Sequence, residues 1–271
     1  MSTDTIVAPE SDRKAPDDAT AWLGARVSRG QSVFGIRDLL TPAICGLVLG
    51  ALYLNVSGRE LDRIELNILT RDTLTDATIQ HIWVSITVAV LVLLIAVPLG
   101  VLVTRRRTEW LAPFVIAVGN VGQSAPVIGL LALVGFYFIG FWSVVGILTG
   151  YASLSVLRNT IVGLQQVDAG VLDAARGMGM SPAAILLKVE LPLAVPVIGA
   201  GARTALVLAV GTVPLGYALD AGGLGTPLFG AIKTNRPVAT FAVAVLIAVL
   251  ALLMDWAAGV LQRSLTPRGI R

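Results

Sequence analysis

The sequence is short of charge, cysteine and histidine, and each shortage removes a class of function. Only 14% of its 271 residues are Asp, Glu, Lys or Arg, against about 25% in a soluble domain. Hydrophobic residues make up 55% and the mean hydropathy is +0.82, which places the chain in the membrane class. A formal charge of +3 gives no strong pull on nucleic acid. Cys45 is the only cysteine, so an internal disulfide is impossible and no cysteine-based metal site can form. It reads as a small apolar residue on a helix face. His81 is the only histidine and reads as an interfacial side chain at a membrane edge. One histidine and one cysteine far apart give no basis for an enzyme's nucleophile, base or metal set, so no catalytic residue and no metal is expected. No Gly-x-x-x-x-Gly-Lys-Ser/Thr loop occurs, so no residue here is expected to bind ATP by itself.

Long apolar runs are what the chain has in quantity. A membrane helix needs about 20 mostly apolar residues, and six segments qualify: 39–56, 82–103, 110–134, 141–162, 195–218 and 238–261. Strand-like alternation is missing, which excludes a closed barrel. The expectation is an all-α polytopic membrane protein with about six transmembrane helices over 39–262 and a short tail, 263–271. Residues 1–38 are polar and lack the apolar core of a secretory signal. They predict a polar tail, disordered over 1–20. Over 21–37, a short interfacial helix and a solvated tail both stand.

Lys and Arg set the orientation. With six spans, one side holds Arg13, Lys14, Arg26, Arg29, Arg37, Arg105, Arg106, Arg107, Arg158, Arg176, Lys188, Arg263, Arg268 and Arg271. The other side holds Arg59, Arg63, Arg71, Lys233 and Arg236, with Arg203 inside a span. Both termini are therefore expected in the cytoplasm. The outer loop 57–81 is polar, and 72–81 predicts a helix feeding the second span.

The stretch 163–194 does not read as a linker. Val167, Val171, Leu172 and Ala175 fall at helical spacing. Gly177 and Gly179 can take positive φ and end that helix. Ser181 followed by Pro182 is an N-cap and first-turn pair for a second helix. Small Ala174 and Ala175 beside an acid suit insertion into a groove of another protein; an ordinary loop lying on the membrane fits the same residues.

The order Asp173–Ala174–Ala175, Gly179, Val189, Leu191–Pro192 resembles the cytoplasmic loop of binding-protein-dependent ABC importer permeases. That family's pattern is Glu-Ala-Ala, three residues, Gly, nine residues, Ile, one residue, Leu-Pro. The spacing matches throughout, with Asp173 standing for glutamate and Val189 for isoleucine. The resemblance covers 75–262 and implies the type I ABC importer permease fold, in the cytoplasmic (inner) membrane of a bacterium or archaeon. It also implies that Asp173, Ala174, Ala175, Gly179, Leu191 and Pro192 couple the chain to a separate ATPase subunit, which would hold the ATP and Mg. Further expected partners are a second permease copy or paralogue, an extracytoplasmic solute-binding protein and membrane lipid. Thr78–Ser85, Val121–Leu133 and Asp220–Gly225 are similar to permeases for osmoprotectants such as glycine betaine, choline and carnitine. Methionine importers carry a similar glycine-rich turn, so methionine or another small amino-acid-like solute is the alternative. A secondary transporter would need ion-coupling acids or internal repeats, and neither is evident.

Polar residues inside the spans are the remaining candidates. Asn120, Gln123 and Ser124 in the third span would be costly facing lipid. Pore or gate lining and interhelical hydrogen bonding are both open, and the same choice applies to Tyr151 in the fourth span. Gly119, Gly122 and Pro126 predict an irregular or closely packed helix there. Arg203 lies about 16 Å along a helix from Pro192. A charge at that depth faces the bundle interior with a partner, and Asp255 is the candidate. Phe136, Tyr137, Phe138, Phe141 and Trp142 cluster at the outer ends of spans three and four, where an interfacial belt is preferred to solute recognition.

Overall fold

The computed structural model describes residues 36–266, which lie within the unit Val33–Arg271. The readings of 1–35 and of the last five residues lie outside the described residues. Every regular element among those described is helical. They are α1 (Ile36–Ser57), α2 (Arg63–Ile68), α3 (Arg71–Val103), α4 (Ala112–Ser124), α5 (Val127–Gly135), α6 (Phe141–Gln165), α7 (Ala169–Gly177), α8 (Pro182–Ile185), α9 (Leu191–Thr212), α10 (Gly225–Lys233) and α11 (Pro237–Leu265).

Five helices are long and apolar enough to cross a bilayer, or six if α4 and α5 together make one span. In α3, 33 residues give about 50 Å of helix, well beyond the roughly 30 Å of hydrocarbon. Its first turns therefore project from the membrane, which accounts for the helix expected at 72–81.

The third span departs from the continuous helix that its composition predicts. Ala125 is extended, with φ −72° and ψ 139°, because the ring of Pro126 crowds the preceding residue out of helical backbone. The chain bends by 88° there. With 13 and 9 residues, neither half is long enough to span alone. The fifth span also differs. It starts earlier, at α9, and finishes in a tighter 3-10 segment, Val213–Leu219.

Packing centres on α6, which meets α3 on one side and α9 on another. Val144, Leu148, Ala152 and Val156 recur every four residues on its buried face, the spacing of a single helical stripe. Small residues set the crossings, as in other membrane bundles. A Cβ on Gly201 of α9 would lie 2.8 Å from Asn159 Cβ and 3.0 Å from the Ser155 carbonyl. On Gly100 of α3 it would lie 2.7 Å from Thr160 Cβ.

Contacts between connecting segments define two ends of the bundle. At one, Arg236 Nε forms an ion pair with Asp62 Oδ2 at 2.8 Å, and the Gly140 amide donates to the Leu219 carbonyl at 2.9 Å. At the other, Arg105 pairs with Glu190.

A side chain at the α6–α9 crossing tests this packing. Gly201→Val should cost about 1–3 kcal/mol, the usual cost of overpacking, because one of the obstructing atoms is backbone. Gly46 has nothing within 4 Å of its would-be Cβ, so Gly46→Ala should leave stability unchanged. Thermal melts of both variants in detergent measure the difference.

Candidate functional site

The segment that follows α6 is built by local capping. Asp168 Oδ1 accepts from the Val171 amide at 3.1 Å and opens α7. At its other end the Gly179 amide donates to the Arg176 carbonyl and the Met180 amide to the Ala175 carbonyl. That paired closure needs a left-handed residue just past the helix, and Gly179 supplies it with φ +78°. Gly177, read above as a second possible terminator, stays within α7; one left-handed residue is enough. Ser181 Oγ then accepts from the Ala184 amide at 3.3 Å and starts α8. Asp173 and Ala174 face outward, while Ala175 is buried. Asp173 Oδ1 accepts from Arg176 Nη1 at 2.6 Å, with both side chains mostly exposed. The outer surface of α7 thus presents an acid, a base and small side chains, with Met178 three-quarters exposed beyond them.

The segment's root is more rigid than its tip. Pro192 has no amide proton to return to the Lys188 carbonyl. The preceding residues, Leu186–Glu190, widen into a π turn in which the Leu191 amide reaches back to the Leu186 carbonyl. Turns of this kind are rare and recur at functional positions. Leu186 and Leu191 pack with Leu93, Val97 and Val101 of α3 and with Leu164, Ala194 and Ile198. Glu190 is buried beside them and holds Arg105 at the end of α3, Nη2 to Oε2 at 2.5 Å and Nη1 to Oε1 at 3.3 Å. This fork-to-fork geometry is the strong form of the pair. Arg105 Nε also donates to the Val101 carbonyl. In the sequence Arg105 is one of three adjacent arginines, and nothing local pairs it with Glu190. An acid in the apolar approach to Leu191–Pro192 was the available signal.

The polar residues of the spans fall into two groups. In the first, Arg158 Nη2 donates to Asn120 Oδ1 at 2.5 Å and Gln123 Nε2 donates to the Tyr151 carbonyl at 3.5 Å. These bonds join α4 to α6 just before the break, and Ser124 lies exposed at the break itself. Arg158, a charge expected on the cytoplasmic side, is thereby tied to the broken span. In the second group, Arg203 Nε and Nη2 donate to Asp255 Oδ1 and Oδ2 at 3.0 and 2.6 Å. The guanidinium lies across Gly259, where a Cβ would come within 3.2 Å of it. The two side chains keep 36% and 35% of their surface uncovered. They border a cleft of about 400 Å³ with Ala200, Thr204, Val207 and Leu208. A half-covered ion pair at this depth is costly against lipid, so this face requires another protein chain or water.

His81 departs most from its sequence reading as an edge residue. It is 0% exposed. Its Nε2 lies 3.0 Å from the Val210 carbonyl, and its Nδ1 accepts from the Leu224 amide at 3.3 Å. The aromatic residues Phe136, Tyr137, Phe138 and Trp142 are exposed, and edge-to-face pairs join Phe136 to Tyr137 and Phe141 to Trp142. Among the described residues no group of three metal-ligating side chains forms.

Comparison with known proteins adds sequence and fold relationships. Residues 96–267 match the family model described as "Binding-protein-dependent transport system inner membrane component". The carnitine transport permease protein OpuCB of Listeria monocytogenes is 36% identical over 195 residues, covering 72% of this chain and 88% of that protein. The choline transport system permease protein OpuBB of Bacillus subtilis is 35% identical over 195 residues, covering 72% and 89%. The osmoprotectant import permease protein OsmW of Salmonella typhimurium is 36% identical over 204 residues, covering 73% and 94%. An inward-facing structure of the MetNI methionine ABC transporter superposes with a TM-score of 0.63 at 27% identity, covering 72% of this chain and 96% of that one.

Removing one member of the Arg105–Glu190 pair should cost more than exchanging both. Glu190→Ala leaves a cation without its partner at a half-covered site, and the expected loss is about 1–3 kcal/mol. The exchange Arg105→Glu with Glu190→Arg should recover part of it. Melting temperatures of the two variants against the unaltered protein decide this, and equal losses in the single and exchanged forms would remove the pair's significance.

Proposed function

Because this chain belongs to the family of inner-membrane components of binding-protein-dependent transport systems, we propose that it moves a quaternary-ammonium osmoprotectant — glycine betaine, choline or carnitine — into the cell. It is a permease subunit of an ABC importer, not the ATP-hydrolysing component. An external binding protein delivers the solute. Separate ATPase subunits hold ATP and Mg, and a second permease copy or paralogue completes the path. Its identities of 35–36% to three permeases named for such solutes support the substrate class.

The observation that carries the mechanism is the capped, outward-facing α7 on a braced root. Asp173, Ala174, Ala175 and Gly179 form the part that docks in the ATPase. Asp173 and Ala174 offer the contact surface. Ala175 seats the helix, and Gly179 turns the chain. Leu191 and Pro192 join this lever to the fifth span. ATP binding closes the ATPases, moves the segment 163–194 and shifts the spans between inward-open and outward-open states. The work comes from the different affinity of ATP for those states. The Arg105–Glu190 pair passes that motion to α3 as well as to α9. The docking segment and both termini lie in the cytoplasm. The opposite end, with Asp62 and Arg236, faces outward.

Asn120, Gln123, Ser124 and Tyr151 line the solute path next to the broken span. Irregular backbone at membrane depth is tolerated where it borders protein or a water-filled cavity. Arg203 and Asp255 form a structural ion pair at the edge of that path. The fold likeness to the methionine transporter supports a second reading, in which methionine or another small amino-acid-like solute is the cargo.

Labelled glycine betaine uptake after an osmotic upshift, in cells lacking this chain and in cells with it restored, tests the cargo. Uptake that returns with the chain supports the first reading. No change, with the protein verified in the membrane, transfers the question to choline, carnitine and then methionine. Gly179→Asp tests the docking role separately. Nothing lies within 4 Å of a Cβ at this position, and Asp is among the residues that enter left-handed backbone most readily. The variant should therefore insert normally and lose ATP-driven uptake; normal uptake would remove α7 from the coupling route. For the ion pair, single reversals at Arg203 and Asp255 should lower the amount of folded protein. The doubly exchanged protein should regain it, and failure to do so would break the pairing.

A further inference from the structure

Two segments 143 residues apart in the chain meet at the end of the bundle that carries Asp62 and Arg236. Gln80 and His81 lie in the projecting part of α3, and Asp220–Gly225 follows the fifth span. We propose that Gln80 and His81 are positioning residues that hold Asp220–Gly225 shut across the outer end of the permease, and that this hold is released during transport. The outer assignment rests on the orientation proposed above.

The held segment cannot keep its shape alone. Asp220, Gly222 and Gly223 all have left-handed backbone, with φ of 55°, 72° and 80°. Successive residues of this kind build no helix or strand. The amides of Gly223 and Leu224 are instead taken up from α3. Gly223 donates to Gln80 Oε1 at 3.1 Å and Leu224 donates to His81 Nδ1 at 3.3 Å. Since Nδ1 accepts, the ring proton is on Nε2 and donates to the Val210 carbonyl at 3.0 Å. A single neutral imidazole thus ties the segment to both α3 and α9.

The fit is tight at the segment's glycines. A Cβ on Gly222 would meet Gln80 Oε1 at 2.5 Å, one on Gly223 the His81 Cα at 3.2 Å, and one on Gly225 the Pro214 carbonyl at 2.3 Å. Leu224 is 0% exposed and packs with Ala77, Val210, Val243 and Leu250. Just before it, the Leu219 carbonyl accepts from Gly140 at the start of α6. A Cβ on Gly135, at the end of α5, would lie 2.2 Å from Leu219 Cδ2. Together with Leu219, the segment therefore touches the second, third, fourth, fifth and sixth spans at one end. Two hydrogen bonds from α3, the seated Leu224 and the small buried Ala221 hold it, a set weak enough to break in a cycle driven from the other end of the bundle.

The test uses the full complex in cells with Cys45→Ala as background. Val243→Cys places a thiol in the buried cluster that Leu224 joins, and Thr226→Cys places one on the exposed surface two residues on from Leu224. Cells and inverted vesicles are treated with a membrane-impermeant maleimide. Val243→Cys should react about fivefold faster when Gln80→Ala or His81→Ala is added, the change expected from one lost hydrogen bond in an opening equilibrium. His81→Asn keeps an acceptor near Leu224 and should restore protection, whereas His81→Gln, whose amide follows Nε2, should not. Unchanged labelling of Val243→Cys in inserted Gln80→Ala and His81→Ala proteins would overturn the proposal. Should His81→Ala fail to insert, Gln80→Ala decides, because its side chain is exposed. Thr226→Cys reacting only in inverted vesicles would overturn the orientation alone. The Val243→Cys comparison is then made in those vesicles, where faster labelling supports the hold and unchanged labelling overturns it.

Discussion

The absence of water in the bilayer core controls this structure. Each backbone amide and carbonyl at that depth needs a partner within the protein, and a continuous α-helix is the simplest way to supply one. The departures from regular helix occur where another element takes over. At Ala125–Pro126, side chains bridge α4 to α6 through Asn120–Arg158 and Gln123. At Leu186–Glu190, a π turn re-pairs the backbone before Pro192. At Asp220–Gly225, Gln80 and His81 supply the acceptors that the segment lacks. Irregular backbone and long-range polar contact coincide at these places.

The two ends of the bundle use different chemistry. At the end bearing α7, an ion pair and an apolar cluster brace the segment's root, while its tip is capped locally and stays exposed. A stiff root with an exposed tip transmits force well. At the opposite end, hydrogen bonds from main-chain amides to α3 hold a glycine-rich segment that seats only Leu224 and the small Ala221. Such contacts have high directionality and modest net strength. They suit an element with two positions better than a permanent weld does.

Intramembrane charge follows the same economy. Arg203 and Asp255 satisfy each other in a two-point contact, yet about a third of each remains uncovered by this chain. Hydrocarbon would penalise that surface. A neighbouring subunit or a wet path relieves it, which is consistent with a permease that works as part of a complex. Thr204 and Ala200 on the same face of α9 are small and exposed and allow close approach there.

Sequence alone determined the all-α architecture and the number of apolar segments, because hydropathy over about 20 residues is a local property. It also carried the helix–turn–helix of the segment 163–194, because Gly179 and Ser181 act within three or four residues of the groups they satisfy; the cap by Asp168 came from the structure. The spacing from Asp173 to Pro192 carried meaning only through its resemblance to the permease family's loop. The break at Ala125–Pro126 was half legible: Pro126 marks irregularity, but the 88° bend depends on what α5 packs against. Only the tertiary structure decided the partners. Glu190 with Arg105, Asn120 with Arg158 and His81 with Leu224 are separated by 85, 38 and 143 residues. No periodicity reports which face of one helix will meet which loop of another. His81 shows the reason most plainly: its position in the chain places it at a membrane edge, and only the fold of a distant glycine segment over it makes it buried.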